Sequence, residues 1–320
     1  MFAGRGIAVS FSFFFILYSV LSLAVCLVWR RVWAYGQRGS VRRSADGLFI
    51  LRMAPLIFAA GVTFFFAVPS FVLLEPRAVE ESLGAAAVLL GCCGAGVVVV
   101  GTWRASWALV RAAKTIARWS SQARVLDCGD VDSMPQVAVM RTSAAAPPLT
   151  VAGILRPTVW LSGAAEFVLT ERELRSALRH ETIHVRRRDN LRKLFMRVAA
   201  FPGMAQLESA WREATEMAAD DAAVSSAAEA LDLAAAVIKL SRLAPFAPAA
   251  ELTTALVHSP AESVNARVER LIGWTEARQG SASGYSWRYA CAALAVVGTL
   301  AVTYTELLVR VHAATEWLVR

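Results

Sequence analysis

The sequence predicts a mainly α-helical integral-membrane protein, with four transmembrane helices and one α+β domain on the cytoplasmic side. Three observations predict it. Apolar residues make up 57% of the 320 residues and charged residues only 18%, whereas soluble chains average about 25% charged. Four apolar stretches are long enough to cross a bilayer, which takes about 20 residues. Residues 125–286 lie between the third and fourth stretches, and a segment of that length can form a domain with its own core.

The predicted spans are residues 8–28, 53–74, 83–103 and 289–309. The third is rich in small residues, which suits close helix packing in lipid. For the first span, a cleaved signal peptide or a lipid on Cys26 is the less favoured alternative. The stretch is long for a signal peptide, Arg5 is its only N-terminal charge, and Val25 stands where a lipidation site needs a small residue.

Positive charge is concentrated in two of the predicted loops. Residues 29–52 hold six arginines against one acid, and residues 104–124 hold five basic residues and no acid. Residues 75–82 hold three acids against one arginine. The positive-inside rule therefore predicts that both basic loops are cytoplasmic and that both termini lie outside a bacterial inner membrane. Anionic lipids then explain the net charge of +8, and no direct nucleic-acid partner is predicted.

Three regions follow from this topology: a membrane region at 1–124, a cytoplasmic domain at 125–286, and a last helix with a short outer tail at 287–320. The five cysteines have neither disulfide-framework nor metal-ligand spacing, which excludes a secreted disulfide scaffold.

Within the cytoplasmic domain, short β-rich segments at 136–140, 149–152 and 158–161 predict a small sheet. A capping box formed by Thr170 and Glu173 predicts the start of a long helix, from 171 to about 200. Pro202 and Gly203 end it. Further helices are predicted at 207–230, 231–242 and 261–274.

The long helix contains the motif HExxH, formed by His180, Glu181 and His184. Spacing of i and i+4 places both imidazoles on one helix face, where they can bind one zinc ion. Glu181 can then act as general base toward a water molecule that the metal activates. A helix with two solvated histidines is the alternative interpretation.

Two histidines leave zinc without a third protein ligand. Downstream acids in range are Asp189, Glu208, Glu213, Glu216, Asp220 and Asp221. Glu216 is favoured as ligand because it shares a helix face with Asp220, which can accept the N–H of a ligating histidine. Glu213 is the next candidate, and a solvated acidic face is the alternative. One zinc ion per chain is therefore predicted.

Several strings around this motif resemble the BlaR/MecR-type antirepressor membrane metallopeptidases. They are Gly153-Ile154-Leu155-Arg156-Pro157, Val159-Trp160-Leu161-Ser162, Arg187-Arg188-Asp189-Asn190, Glu216-Met217-Ala218-Ala219-Asp220 and Asn265-Ala266-Arg267-Val268-Glu269-Arg270-Leu271. The resemblance covers about residues 135–275, although Ala219 stands where those proteins commonly have cysteine. It implies a gluzincin with a zincin-like fold, whose protease domain faces the cytoplasm.

The sensor members of that family carry a large extracellular penicillin-binding domain after the last span. Only residues 310–320 follow the last predicted span here, and no Ser-x-x-Lys motif occurs. Acylation of this chain by a β-lactam is therefore not expected, and a separate sensor protein or a homo-oligomer is a candidate partner.

Weaker signals lie near the motif. His258, followed by Arg267, resembles a late motif of the HtpX and CAAX prenyl proteases, so either residue is a candidate for a transition-state or substrate contact. A structural role is the favoured alternative for a lone histidine. The run 186–188 of arginines is interpreted as a solvated or lipid-facing helix side rather than a substrate-steering patch.

The predicted function is a membrane-embedded zinc endopeptidase in signal transduction that cleaves a cytoplasmic protein, such as a winged-helix transcriptional repressor. One alternative is a quality-control protease acting on membrane proteins, as in the HtpX relatives. The other is a non-catalytic membrane transducer, against which the intact His180, Glu181, His184 and Glu216 argue.

Overall fold

The computed structural model of the chain describes residues 2–36, 40–76, 84–125, 137–142, 146–243, 252–255, 261–275 and 287–319. Its helices are α1 Phe2–Gly36, α2 Val41–Val62, α3 Val68–Leu74, α4 Ala85–Ser120, α5 Gly163–Val168, α6 Glu171–Arg187, α7 Asp189–Val198, α8 Ala205–Ala223, α9 Ala227–Leu243, α10 Ala261–Ile272 and α11 Trp287–Val319. Its strands are β1 Ala123–Val125, β2 Val139–Thr142, β3 Leu149–Ala152, β4 Thr158–Ser162 and β5 Thr253–Ala255. The chain is mostly helical, with the sheet in its C-terminal part.

Three helical stretches of the described chain are long and apolar enough to cross a membrane: Phe2–Ala34, Val41–Leu74 and Ala85–Ser120. The first two contain the predicted spans 8–28 and 53–74 and begin before them. The third begins at Ala85, two residues inside the predicted span 83–103, and continues to Ser120. The fourth predicted span lies inside α11. That α11 spans the membrane stays a prediction, as do the orientation and the division at 124 and 286.

A π-helical turn, Thr63–Ala67, joins α2 to α3. Pro69 follows it and has no N–H to donate, so a carbonyl in the preceding turn loses its partner within the helix. The Tyr304 hydroxyl of α11 donates to the Phe65 carbonyl at 3.0 Å. Because a bilayer offers no water to such a carbonyl, this hydrogen bond ties α11 to the second span.

The connection between α7 and α8 lies among α1, α2 and α4. The Tyr18 hydroxyl donates to the Ala200 carbonyl at 3.1 Å, and its ring meets Phe201 edge-on at 5.7 Å. A Cβ on Gly101 of α4 would collide with the Val198 carbonyl oxygen, so only glycine allows this approach. Apolar members of α1, α2, α7 and α8, with the α7–α8 connection, form one cluster: Trp29, Ala45, Leu48, Met53, Met196, Ala199, Met204, Leu207, Ala210, Trp211 and Ala214.

The sheet has the strand order β1-β2-β4-β3-β5. Strands β2 and β4 are parallel, and the other pairs are antiparallel. Its apolar side chains pack with those of α6, α9 and α10 in the main core of the C-terminal part, around Leu149, Val151 and Leu161. The β3 and β5 side of the sheet lies beside α6, which carries the HExxH motif.

The predicted strands at 149–152 and 158–161 are confirmed, the latter one residue longer. The predicted first strand begins later, at Val139, and residue 136 lies outside the described chain. Strands β1 and β5 and the short helix α5 were not predicted, because segments of three to six residues are too short to show a periodic pattern.

The predicted helix from 171 to about 200 is wrong as one element. It is divided at Arg188, which has left-handed backbone angles, φ 54° and ψ 43°. No glycine or proline marks this position, so the sequence carries no local signal for the break. The boundary predicted at 230 is also wrong: α8 ends at Ala223 and α9 begins at Ala227, because Ser226 caps the new helix by accepting from the Glu229 N–H at 3.2 Å.

Candidate metal centre

The helix that carries the HExxH motif begins at the predicted capping box. The Thr170 N–H donates to the Glu173 carboxylate at 2.8 Å, and the Glu173 N–H donates to the Thr170 hydroxyl at 3.4 Å. Lys239 of α9 also donates to Glu173, at 2.7 Å. Burial on its own raises the pKa of Glu173, but these hydrogen bonds outweigh it and lower the pKa. The start of α6 is thereby attached to α9.

Three ligand-type atoms converge between α6 and α8. His180 Nε2 and His184 Nε2 are 3.0 Å apart. Glu216 Oε2 lies 3.4 Å from His180 Nε2, and Glu216 Oε1 lies 3.6 Å from His184 Nε2. In a tetrahedral zinc site with bonds of about 2.0–2.1 Å, ligand atoms lie about 3.3 Å apart. The three side chains therefore fit a zinc ion, and they form a candidate metal site.

Glu216 has the charge state that a metal ligand needs. Burial alone raises its pKa, but His184, Arg267 and His180 outweigh burial and lower the pKa to about 2. Of the six acids that the sequence offered as third ligand, only Glu216 is grouped with both histidines. Glu213 is exposed.

The other acids in range have different partners. Glu208 pairs with Arg52 at 2.9 Å, and Asp221 pairs with Arg270 at 2.6 Å.

Asp220 lies behind His180. Its Oδ1 is 2.9 Å from His180 Nδ1, off the line of an ideal hydrogen bond. Arg267 donates to Asp220 through Nε at 2.8 Å and through Nη2 at 2.7 Å, and its Nη1 lies 3.1 Å from Glu216 Oε2. Arg267 is only 1% exposed. Arg267 thus links Glu216, the predicted third ligand, to Asp220, the carboxylate behind His180.

Asp189 lies behind His184 in the same way. Its Oδ2 is 2.7 Å from His184 Nδ1, and it is fully buried. The next residue, Asn190, donates to the carbonyls of Val151 and Gly153 at 3.2 Å each, which anchors the start of α7 to the end of β3. The sequence singled out Asp189 only as a candidate ligand. No local signal in the sequence reveals this contact, because it depends on the helix break at Arg188.

The carboxylates around the two imidazoles attract cations. Burial on its own lowers the pKa of His180, but Asp220 and Glu216 outweigh it and raise the pKa to about 9. A field that favours a proton on a buried imidazole also favours a divalent cation at its ring nitrogen.

Glu181 faces this centre without a partner of its own. It is fully buried, and within the described chain neither of its carboxylate oxygens has a hydrogen-bond partner. Burial raises its pKa to about 8, with the charge of Glu216 adding to the rise. A buried carboxylate without a donor is costly, so the described residues leave Glu181 free to take a proton or a donor from outside them.

Lys193 of α7 is a cation near the centre that the sequence did not single out. Its ammonium donates to the Thr253 carbonyl of β5 at 2.8 Å. Burial lowers its pKa to about 8, while Glu216 and Asp189 oppose that shift. Of the two late candidates, Arg267 is placed against Asp220 and Glu216, and His258 lies outside the described residues.

A second group of ligand-type side chains lies where the end of α3 meets α11 and consists of Glu75, His312 and Glu316. His312 Nε2 is 3.9 Å from Glu75 and 3.8 Å from Glu316. Arg5 already pairs with Glu75 at 2.9 Å. His312 Nδ1 has no hydrogen-bond partner among the described residues. The Nδ1 atoms of His180 and His184 have Asp220 and Asp189 at 2.9 and 2.7 Å, and within this part of the chain no such carboxylate is paired with His312 Nδ1 to orient it as a metal-binding imidazole.

The family model of the BlaR1 peptidase M56 matches residues 71–271, which contain every residue of the candidate metal centre. A search of curated proteins finds no match. The family match confirms the resemblance that the sequence motifs indicated.

Proposed function

The chain belongs to the BlaR1 peptidase M56 family, and from this premise we propose that it is a membrane-embedded zinc endopeptidase. The convergence of His180, His184 and Glu216 carries the proposal. Each imidazole has a buried carboxylate at its other ring nitrogen, which is the arrangement that orients histidine ligands toward a metal. One zinc ion per chain is the proposed cofactor.

Zinc bound there would lower the pKa of a water molecule to about 7 and polarise the scissile carbonyl. Glu181 accepts the proton of the attacking water on a carboxylate oxygen and passes it to the leaving amine. Asp189 and Asp220 hold the two imidazoles in the tautomer that presents Nε2. Arg267 holds Asp220 and Glu216 together, so we assign it a positioning role.

The proposed substrate is a cytoplasmic protein of the repressor type. The basic loops at 29–52 and 104–124 support this orientation, since the positive-inside rule predicts that the segment carrying the centre lies inside the cell. A membrane-protein substrate is the second candidate. One observation favours it: the α7–α8 connection packs among α1, α2 and α4, which brings the helices of the centre against the membrane region.

The test uses the full chain in detergent. Cleavage of a casein-type substrate should stop when zinc is removed with a chelator and return when zinc is added back. In cells, the proteins that accumulate when His184→Ala replaces the unaltered chain identify the substrate class. Accumulation of a cytoplasmic repressor supports the first candidate, and accumulation of membrane proteins supports the second. Cleavage that persists without metal, or in His184→Ala, would contradict the proposal.

A further inference from the structure

Helix α2 holds the beginning of α7 through one carboxylate. Asp46 Oδ1 accepts from Arg192 at 2.7 Å and from Arg187 at 3.3 Å. The Arg192 guanidinium also lies over the ring of Phe49, 5.3 Å from its centroid. One acidic side chain of α2 thus contacts the last turn of α6 and the first turn of α7.

Helix α2 holds the end of α7 through Arg52, which is only 2% exposed. Its Nη2 donates to the carbonyls of Ala199 and Met196, groups that the end of a helix leaves without partners. Its Nε and Nη2 donate to Glu208 of α8 at 3.1 and 2.9 Å. A buried arginine needs such partners, so the contact ties α2 to α7 and α8 together.

Both contacts lead on to the metal centre, one through Asp189 and the other along α8. Arg187 donates to Asp46, and its Nε lies 3.7 Å from Asp189 Oδ1. Asp189 Oδ2 in turn lies 2.7 Å from His184 Nδ1. Glu208, which Arg52 holds, lies on the same helix as Glu216, eight residues earlier. At a rise of about 1.5 Å per residue, that separation is about 12 Å along α8.

We propose that Asp46 and Arg52 of α2 are positioning residues for the metal centre, the first through Asp189 and His184, the second through α8 and Glu216. A displacement of α2 relative to α7 would then reorient the His184 ring and shift Glu216 at the same time. The inference rests on the proposed function, because it takes these side chains as metal ligands.

The test is a double-mutant cycle on cobalt(II) affinity, measured by visible absorption with the full chain in detergent. Replacing a group that orients a metal ligand costs about 10–100-fold in affinity, and we expect about 3–10-fold for Asp46→Asn, which lies two contacts beyond that group. In the Asp189→Asn background, Asp46→Asn should have almost no further effect, since the chain of contacts is already interrupted. In the Asp220→Asn background it should keep its full effect, because Asp220 serves His180.

Three further variants separate positioning from general stability. Arg43→Gln removes an exposed charge from the same helix and should leave cobalt affinity unchanged. Asp46→Glu keeps the carboxylate and should recover affinity, and Arg52→Lys keeps the charge but loses the forked donor set, so it should lower affinity. Thermal unfolding of each metal-free variant identifies any that does not fold, in which case the Asp46 cycle alone decides.

The outcomes are distinct. If Asp46→Asn lowers affinity equally in the Asp189→Asn and Asp220→Asn backgrounds, the route through Asp189 is wrong while the metal centre stands. If neither Asp46→Asn nor Arg52→Lys changes affinity, the inference fails as a whole. If the unaltered chain binds no cobalt, the proposed function fails and this inference with it.

Discussion

The two ring nitrogens of His180 and of His184 have different neighbours. The Nε2 atoms face each other and Glu216, at 3.0 to 3.6 Å, and the Nδ1 atoms face Asp220 and Asp189. The sequence could predict the first set, because HExxH spacing places both rings on one helix face. It could not predict that Asp189 lies behind His184, since that contact depends on where the helix breaks.

Replacing Glu181 should affect peptide cleavage without affecting zinc binding. Glu181→Gln keeps the size of the side chain but cannot accept a proton, so cleavage should fall by about 10²–10⁴-fold, the usual contribution of a general base. Zinc should stay bound, because Glu181 is not among the three converging ligands. Both quantities are measured on the same purified sample. Loss of zinc in this variant, or near-normal cleavage, would refute the assigned role.

At the scale of elements, the break between α6 and α7 determines the arrangement of the site. Arg188 takes a left-handed conformation, and the chain then turns so that Asp189 reaches back to His184. A non-glycine residue in this conformation costs about 1–2 kcal/mol. The sequence predicted the capping box, the HExxH helix and two of the strands from local patterns. The break was missed because tertiary contacts at Asp189 and Asn190 impose it.

Substitution by glycine should therefore change the free energy of unfolding in opposite directions at two nearby exposed positions. Arg188→Gly removes the left-handed penalty and should raise stability by up to about 1 kcal/mol. Arg186→Gly, two residues earlier inside α6, should lower it by about 1 kcal/mol. Thermal unfolding followed by tryptophan fluorescence measures both. A destabilised Arg188→Gly would mean that the break is not where this account places it.

At the scale of the whole molecule, the membrane helices and the C-terminal part share a hydrophobic cluster. Apolar length was sufficient to predict the three helical stretches that are long enough to cross a membrane, because hydropathy is summed over long segments. Sequence patterns could not predict that the end of α7 meets Gly101 or that the α7–α8 connection packs against Tyr18, since these contacts join residues far apart in sequence.

The approach of α4 to α7 depends on one glycine. In Gly101→Ala the new methyl group meets the Val198 carbonyl oxygen, so the helices must separate, at a cost of about 1–3 kcal/mol. Gly96→Ala, on the same helix, meets nothing within 4 Å and should be neutral or slightly stabilising. Unfolding midpoints in detergent compare the two variants. Equal midpoints would show that this helix contact contributes little.

The predicted orientation has its own test. Because residues 29–52 are rich in arginine and residues 75–82 are acidic, a topology reporter fused at residue 79 should report the outside. One fused at residue 125 should report the cytoplasm. The reverse pair of results would place the metal centre outside and remove the cytoplasmic substrate.

The most direct test of the central claim is the zinc content of the purified full chain, with two variants beside it. The unaltered chain should hold about one zinc, as expected of a centre with three protein ligands. His180→Ala should hold far less, because it removes one of the three converging ligands. His312→Ala is the matched control, a histidine outside the centre, and should keep its zinc. Full zinc occupancy in His180→Ala, or no zinc in the unaltered chain, would contradict the account.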